Sequence, residues 1–288
     1  KNLNSDSVFG DILASLNGNF AVVVSSRTSV FIGADAVRSI PVFFCIDGNV
    51  LTISDDIHLL LKASYKIDRD SAIEYLSAGY VTGAHTLFSN VSGLQAGECV
   101  TWNLTSGSFD ADRYYSYICS YNSDISPSEL CEKLDKVLTD VFGRLINSID
   151  GNQIIVPLSG GLDSRLMVAT LKKFGYDNVM CYSYGVPGNK ESVLSSQISE
   201  KAGYPWIQIP YSPNLWRETA SNEEFREYQT FAANGGSFPH HDDWPAVSIL
   251  RQNPKISKGA IFVPGHTGDF ISGDHLKHLF DPFVWDGH

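Results

Sequence analysis

The stretch Gln153-Ile154-Ile155-Val156-Pro157-Leu158-Ser159-Gly160-Gly161-Leu162-Asp163-Ser164 carries the reading of the fold. An apolar run from Ile154 to Leu158 ends in Ser159, Gly160 and Gly161, and a helical pattern is under way by Arg165. A strand, a glycine turn and a helix start follow one another without a break. Glycines allow backbone N–H groups to turn inward with no Cβ in the way, and a helix N-terminus adds partial positive charge, so a loop of this kind binds oxyanions. It is not a Walker A loop, because no Gly-Lys-Ser/Thr follows at the required spacing. An ordinary strand-to-helix turn is the plain alternative, since Gly-Gly is common there.

Downstream, strand and helix patterns alternate. Strands are predicted at 153–158, 178–184, 206–210 and 260–263, and helices at 164–174, 190–202 and 214–233. Apolar strands separated by helices describe an α/β unit with a doubly wound parallel sheet, whose ligands sit at the carboxyl ends of the strands. Upstream, Ser126, Pro127 and Glu129 spell an N-cap, a first-turn proline and a capping-box acid. Leu130, Leu134, Val137, Val141, Leu145 and Ile149 then recur at three- and four-residue steps, which predicts a long helix to about Ser148. Residues 121–127 are polar and read as a linker.

The first hundred residues are different in character. Period-two apolar segments at 20–24, 29–32, 41–45 and 50–53 are joined by the turn signals Asn17-Gly18 and Asp47-Gly48-Asn49. Helical patches follow at 55–64 and 71–77, with further strand-like pieces at 98–104 and around Tyr114-Tyr115. This half reads as antiparallel α+β.

Composition narrows the function. With 288 residues, 43% hydrophobic and 18% charged, the chain has ample material for a core and a length that suits two domains. A net charge of -11 argues against a polyanion-binding surface and hence against nucleic acid as a partner. The five cysteines (Cys45, Cys99, Cys119, Cys131 and Cys181) are scattered with no Cys-x-x-Cys pair, which reads as reduced thiols and a cytoplasmic setting. The polar opening resembles no signal peptide, and no apolar run is long enough to span a bilayer, so no membrane partner is expected. The chain starts without Met and stops at Trp285-Asp286-Gly287-His288, which suggests a fragment.

The loop at 159–164 resembles the pyrophosphate loop of N-type ATP pyrophosphatases, which split ATP between the α and β phosphates. Both halves of the chain, in this order, resemble the asparagine synthetase family over most of the length. Ser183-Tyr184-Gly185-Val186-Pro187-Gly188 is similar to the family's second strand end, and residues 191–203 to the helix after it. Gly265-His266-Thr267-Gly268-Asp269, with Gly273, is similar to a third motif that usually reads Ser-Gly-Glu-Gly-x-Asp-Glu. In the amino half, residues 17–21, Gly33-Ala34-Asp35 with residues 41–44, and Ile53-Ser54-Asp55-Asp56 resemble the later part of the family's glutaminase domain. Tyr75-Leu76, Gly79-Tyr80, Thr86-Leu87-Phe88 and Gly97 continue that likeness.

The resemblance implies a partial Ntn-type α+β domain, like a class II glutamine amidotransferase, over 1–120. It implies a truncated doubly wound ATP pyrophosphatase domain, like the adenine nucleotide α-hydrolases, over 126–288. The family's glutaminase nucleophile is an N-terminal Cys that lies before the region matched, so the resemblance implies a catalytically empty remnant of that half. The implied reaction is glutamine-dependent amide formation through carboxylate adenylation, with ATP and Mg²⁺ as cofactors. A small-molecule carboxylate and glutamine-derived ammonia would be its partners, and a homodimer is compatible with it.

The chemistry of adenylation gives each residue a role. A carboxylate needs a better leaving group than hydroxide, which AMP supplies, and the protein must hold a polyphosphate, place Mg²⁺ and keep water out. Ser159, Gly160, Gly161 and Ser164 would contact pyrophosphate. Asp163 would be both a catalytic group and the first Mg²⁺ ligand, with Asp269 as the second, since oxygen ligands suit that ion. The plain roles are helix capping for Asp163 and a turn for Asp269. By resemblance, Leu158, Tyr184 and Gly185 frame the adenine through their backbones, while Pro264 and Gly265 belong to the nucleotide site. Tyr184 could equally be a core aromatic.

Two departures stand out. His266 takes the place of the family's acidic residue and is expected to act as a base or phosphate contact, and Phe270 replaces the following Glu. Pro264 stands at the usual Ser. These changes favour a related ligase with another acceptor as the rival reading, such as a β-lactam or macrolactam cyclase or an enzyme amidating sugar acids. A nucleotide-binding scaffold without activity is the rival of another class. The polar patch 234–243, with His240 and His241, invites a metal reading, but neighbouring histidines on one loop rarely ligate one ion, so it reads as a substrate loop or a solvated surface loop.

Overall fold

The computed structural model describes residues 6–118, 125–266 and 268. The chain divides into two compact units: residues 1–121 with 223–241, and residues 122–222 with 242–288.

The first unit opens with a helix that the sequence reading lacks, α1 (Asp6–Ser15). The strands β1 (Ala21–Ser25), β2 (Ser29–Ala34), β3 (Phe43–Asp47) and β4 (Val50–Ser54) fall within two residues of expectation. Residues 55–64 form only a short 3₁₀ turn at Ile57–Leu59, capped by Asp56, in place of the expected helix. Next come α2 (Arg69–Ala78), which ends in Gly79 with φ of 84°, and β5 (Ser92–Gly93), β6 (Glu98–Asn103) and β7 (Phe109–Arg113). The strand expected around Tyr114-Tyr115 therefore lies just before them.

Two antiparallel sheets result, ordered β1-β2-β6-β7 and β4-β3-β5. Successive side chains of a strand point to opposite faces, and the packing follows that alternation. Phe31 and Cys99 pack with Phe9 and Leu13 of α1. Ile32, Ala34 and Val100 face the other way and pack with Val42, Leu51, Ile53 and Leu94. Each fully buried Phe, Ile, Leu or Val among them contributes about 1.5–3 kcal/mol. Gly33 is required by this arrangement, because a Cβ there would strike the Leu13 side chain.

The second unit begins with α3 (Pro127–Ile149), whose Ser126 and Glu129 form the anticipated capping box. Then follow β8 (Ile154–Pro157), α4 (Leu162–Lys173), β9 (Val179–Gly185), α5 (Lys190–Ala202), β10 (Trp206–Pro210) and α6 (Pro213–Ser221). The single helix expected at 214–233 is broken at Asn222, which is extended (φ -81°, ψ 129°). Its second half, α7 (Glu223–Ala233), belongs to the first unit. The chain returns to the second unit with α8 (Trp244–Arg251), absent from the sequence reading, and β11 (Ile261–Phe262).

Among the described residues, the strands of the second unit are parallel and ordered β10-β9-β8-β11. Both faces are covered. Ile154, Val156, Val179 and Cys181 pack with Phe142 and Ile149 of α3, Val168 and Leu171 of α4, and Ile198 of α5. Ile155, Met180, Tyr182 and Ile209 pack with Ala246 and Leu250 of α8. Helices on both faces of a parallel sheet make the doubly wound layer arrangement. The strand order reverses between β8 and β11, where such sheets open a crevice at their carboxyl edge.

Candidate functional site

A cleft of about 200 Å³ lies at that edge, lined by Pro157, Leu158, Ser159, Asp163, Ser164, Tyr182, Ser183, Tyr184, Glu191, Asp243, Gly265 and His266. Its floor is the turn from β8 into α4. The buried Ser164 hydroxyl accepts the Ser159 N–H at 3.1 Å, and the two hydroxyls stand 2.9 Å apart. The Gly161 N–H donates to Ser159 Oγ at 3.2 Å, and the Arg165 guanidinium donates to the Gly160 carbonyl at 3.0 Å.

Gly160 and Gly161 shape this turn in different ways. Neither has a positive φ. Gly160 instead lets the turn press against α5, where a Cβ would lie 3.1 Å from Leu194 Cδ1. Gly161 is the N-cap of α4 and gives it no side-chain cap. The first-turn amides of α4 therefore have no side-chain cap, at the positive end of the helix dipole, where an anion is stabilised.

The loop after β11 closes over this helix start. A Cβ on Gly265 would sit 2.9 Å from the Ser164 nitrogen, and one on Gly268 would run into the Asp163 carboxylate. This close approach of the loop to α4 requires that neither residue has a side chain. His266, exposed in its own right, lines the same cleft as Ser159 and Asp163. Asp269 lies outside the described residues, and Pro264 is exposed and outside the lining.

The walls are polar and tied together. The Ser183 and Ser195 hydroxyls both donate to the Leu158 carbonyl, at 2.6 and 2.7 Å, while the Leu158 N–H donates to the Tyr182 carbonyl at 2.8 Å. Both backbone groups of Leu158 are thus occupied within the protein, and its side chain is buried in the core beneath the cleft. Gly185, with φ of 121°, accepts the Tyr211 N–H at 2.9 Å and is not part of the lining. Tyr184 stacks on Tyr211 at 4.9 Å. Burial pushes the Tyr184 phenol far up, helped by its hydrogen bond to Asp243, so it remains a neutral donor. Tyr182 and Tyr211 are shifted the same way, again chiefly by burial.

Asp163, Ser159, Ser164, Leu158, Tyr184, Gly265 and His266 therefore converge on one cleft. Glu191 joins them without having been singled out from the sequence, and so does Asp243, the last residue of the polar patch read as a substrate loop or a surface loop. Glu191 was legible as an acid in the first turn of α5 after the Asn189 cap, whereas Asp243 precedes a helix that the sequence reading lacks. No group of three His, Cys, Asp or Glu residues among the described residues is arranged to hold a metal by itself.

The patch at 234–243 does not act as one loop. Residues 234–241 belong to the first unit and only Asp242 and Asp243 to the second. Asn234 is spent on the backbone of that unit, accepting from the Ile57 N–H and donating to the Asp55 carbonyl, both at 3.0 Å. His241 pairs with Gln229 at 3.3 Å. Among the described residues, no helix is long and apolar enough to cross a membrane.

Comparison with known proteins locates one of the two halves. No curated protein sequence matches the chain. Among solved structures, glutamine phosphoribosylpyrophosphate (PRPP) amidotransferase from B. subtilis, complexed with ADP and GMP, is similar over 75% of this chain and 41% of its own, at 11% identity and a TM-score of 0.26. The chain thus spans well under two thirds of that protein's length, and a likeness so slight bears on neither fold nor function. The family model of the glutamine amidotransferase domain matches residues 7–115. Residues 7–115 are thus similar to the glutamine amidotransferase domain, and the match ends before the second unit begins.

Proposed function

We propose that the chain belongs to a glutamine-dependent, ATP-consuming amide ligase of the asparagine synthetase type, in which the second unit activates a carboxylate by adenylation with release of pyrophosphate. The observation that carries this reading is the uncapped start of α4. Its first-turn amides, the clasped Ser159–Ser164 turn and the side-chain-free Gly265 form a cradle at the carboxyl edge of the sheet, where the strand order reverses. The amidotransferase domain at 7–115 supports an ammonia-using partner for that chemistry.

In this reading Ser159, Gly160, Gly161 and Ser164 hold the β and γ phosphates through backbone amides and hydroxyls. Asp163 supplies one Mg²⁺ oxygen ligand and the phosphates supply others, which suits an ion that takes one or two carboxylates and substrate oxygens in place of an all-protein cage. Mg²⁺ bound there would neutralise charge that develops on the departing pyrophosphate. The carboxylate attacks the α phosphorus, the α–β bridge bond breaks, and an amine then displaces AMP. His266, in place of an acid, can accept a proton from that amine. Its presence in the cleft favours an acceptor other than aspartate. The cytoplasm is the setting that suits a chain with buried free thiols.

Calorimetric titration with Mg-ATP tests the assignment. The wild-type chain should bind, and Asp163→Asn should weaken binding at least about tenfold, consistent with the worth of a charged ligand. Equal affinity of the variant, or none in the wild type, would remove the reading.

A further inference from the structure

A second pocket, of about 520 Å³, lies wholly within the first unit and is lined by residues including Arg38, Phe43, Tyr80, His85, Phe231 and Ser237. We propose that it binds a small carboxylate with an apolar or aromatic body, held by the Arg38 guanidinium.

Arg38 is an unusual residue. Its φ is 55°, in the left-handed region that costs a side-chain-bearing residue and that persists only where the surroundings impose it. The surroundings do so here. The buried Asp35 carboxylate accepts the backbone N–H groups of Phe20 at 3.0 Å, Val37 at 2.9 Å and Ser39 at 3.2 Å, together with the Ser39 hydroxyl. This wraps the chain around Asp35 and turns Arg38 into the pocket. Gly93 makes room, since a Cβ there would meet Arg38 Nη2 at 2.9 Å, and the guanidinium lies over the Phe43 ring at 5.6 Å.

The cation is left short of partners. Its Nε is buried with no hydrogen-bond partner, and none of the ion pairs among the described residues includes it. Burial lowers its pKa, partly offset by the charge of Glu98. An unpaired guanidinium is costly even when half-buried, as here, and a bidentate carboxylate is the group that best satisfies its planar fork. The walls favour an apolar body: Tyr80 is 53% exposed and Phe231 78% exposed, and both border the pocket together with Pro41 and Phe43. One guanidinium in a chain of net charge -11 suits a monoanion better than a phosphate dianion.

Benzoate, titrated into the intact chain by calorimetry or saturation-transfer NMR, is the direct probe, with benzyl alcohol as its neutral counterpart and inorganic phosphate as competitor. Benzoate should bind at least about tenfold more tightly than benzyl alcohol, and phosphate should not displace it. Arg38→Gly is the decisive variant, because a left-handed backbone suits glycine and the fold should survive. It should weaken benzoate at least about tenfold. Tyr80→Ala, at the exposed rim, should weaken benzoate without unfolding and serves if the first variant does not fold. Equal binding of benzoate and benzyl alcohol, displacement by phosphate, or wild-type affinity in Arg38→Gly or Tyr80→Ala would each overturn the proposal.

Discussion

The hydroxyls of Ser159 and Ser164 stand 2.9 Å apart and clasp the two ends of the turn that carries Gly160 and Gly161. Ser164 also accepts the Ser159 N–H and is itself buried, so this one side chain fixes both where β8 stops and where α4 starts. Ser164→Ala would leave that N–H without its partner. A loss of about 1–3 kcal/mol in stability is expected, read from the midpoint of urea unfolding. An unchanged midpoint would mean that the clasp does not hold the turn.

The two glycines that face α4 should differ in what they tolerate. Gly161→Ala places a Cβ 3.2 Å from Ser159 Oγ at an allowed φ of -72°, which a small rotation of the serine relieves. Gly265→Ala places one 2.9 Å from the Ser164 nitrogen, against backbone that cannot rotate away. Gly265→Ala should therefore cost about 1–3 kcal/mol, the usual penalty for overpacking, and Gly161→Ala clearly less. Thermal or urea unfolding of the two variants side by side decides this.

The contrast shows what can be read from residues alone. The turn at 159–164, the capping box at Ser126 and Glu129, and the helix Lys190–Ala202 all carry local signals of capping and periodicity, and the structure has them. The glycines were legible as glycines, but the reason for them was not, since it depends on Leu194 and Ser164 approaching from elsewhere. The break at Asn222 was hidden because the apolar spacing continues through it into a helix that packs in the other unit. α1 was missed because its apolar face is little more than Phe9 and Leu13, interrupted by Gly10. Asp243 reaches the cleft through tertiary packing that no sequence spacing announces.

Asp35 gives the first unit a pH dependence. Burial acts to raise its pKa, but the hydrogen bonds from Ser39, Val37 and Phe20 outweigh it and hold the carboxyl below its ordinary value of 3.8. A carboxyl depressed in the folded state stabilises the fold above its unfolded pKa, and that contribution fades as pH falls through the folded value. Asp35→Asn should destabilise the chain by about 2 kcal/mol or more at neutral pH, with the difference from wild type shrinking in acid. Urea unfolding at neutral and acidic pH checks both. A difference that grows as pH falls would contradict the account.

Thiol reactivity should separate the cysteines. Cys131 is exposed, whereas Cys45, Cys99 and Cys181 are buried. Burial pushes the Cys181 thiol up to about 11 from 9.0, so its contribution to stability is complete below the ordinary value and is lost as pH rises toward about 11. Since the thiolate is the nucleophile, iodoacetamide at neutral pH should label Cys131 quickly and Cys181 only after unfolding. Peptide mass spectrometry reads the outcome, and rapid labelling of Cys181 in the folded chain would contradict its placement.

The nucleotide products formed by the intact chain test the central claim most directly. With Mg-ATP and a panel of small carboxylates, at least one carboxylate should elicit AMP and pyrophosphate in equal amounts, and Asp163→Asn should abolish both while leaving the unfolding midpoint in place. Formation of ADP and phosphate, or AMP formation undiminished in Asp163→Asn, would contradict the assignment of the Ser159–Ser164 turn as the loop that holds the departing pyrophosphate.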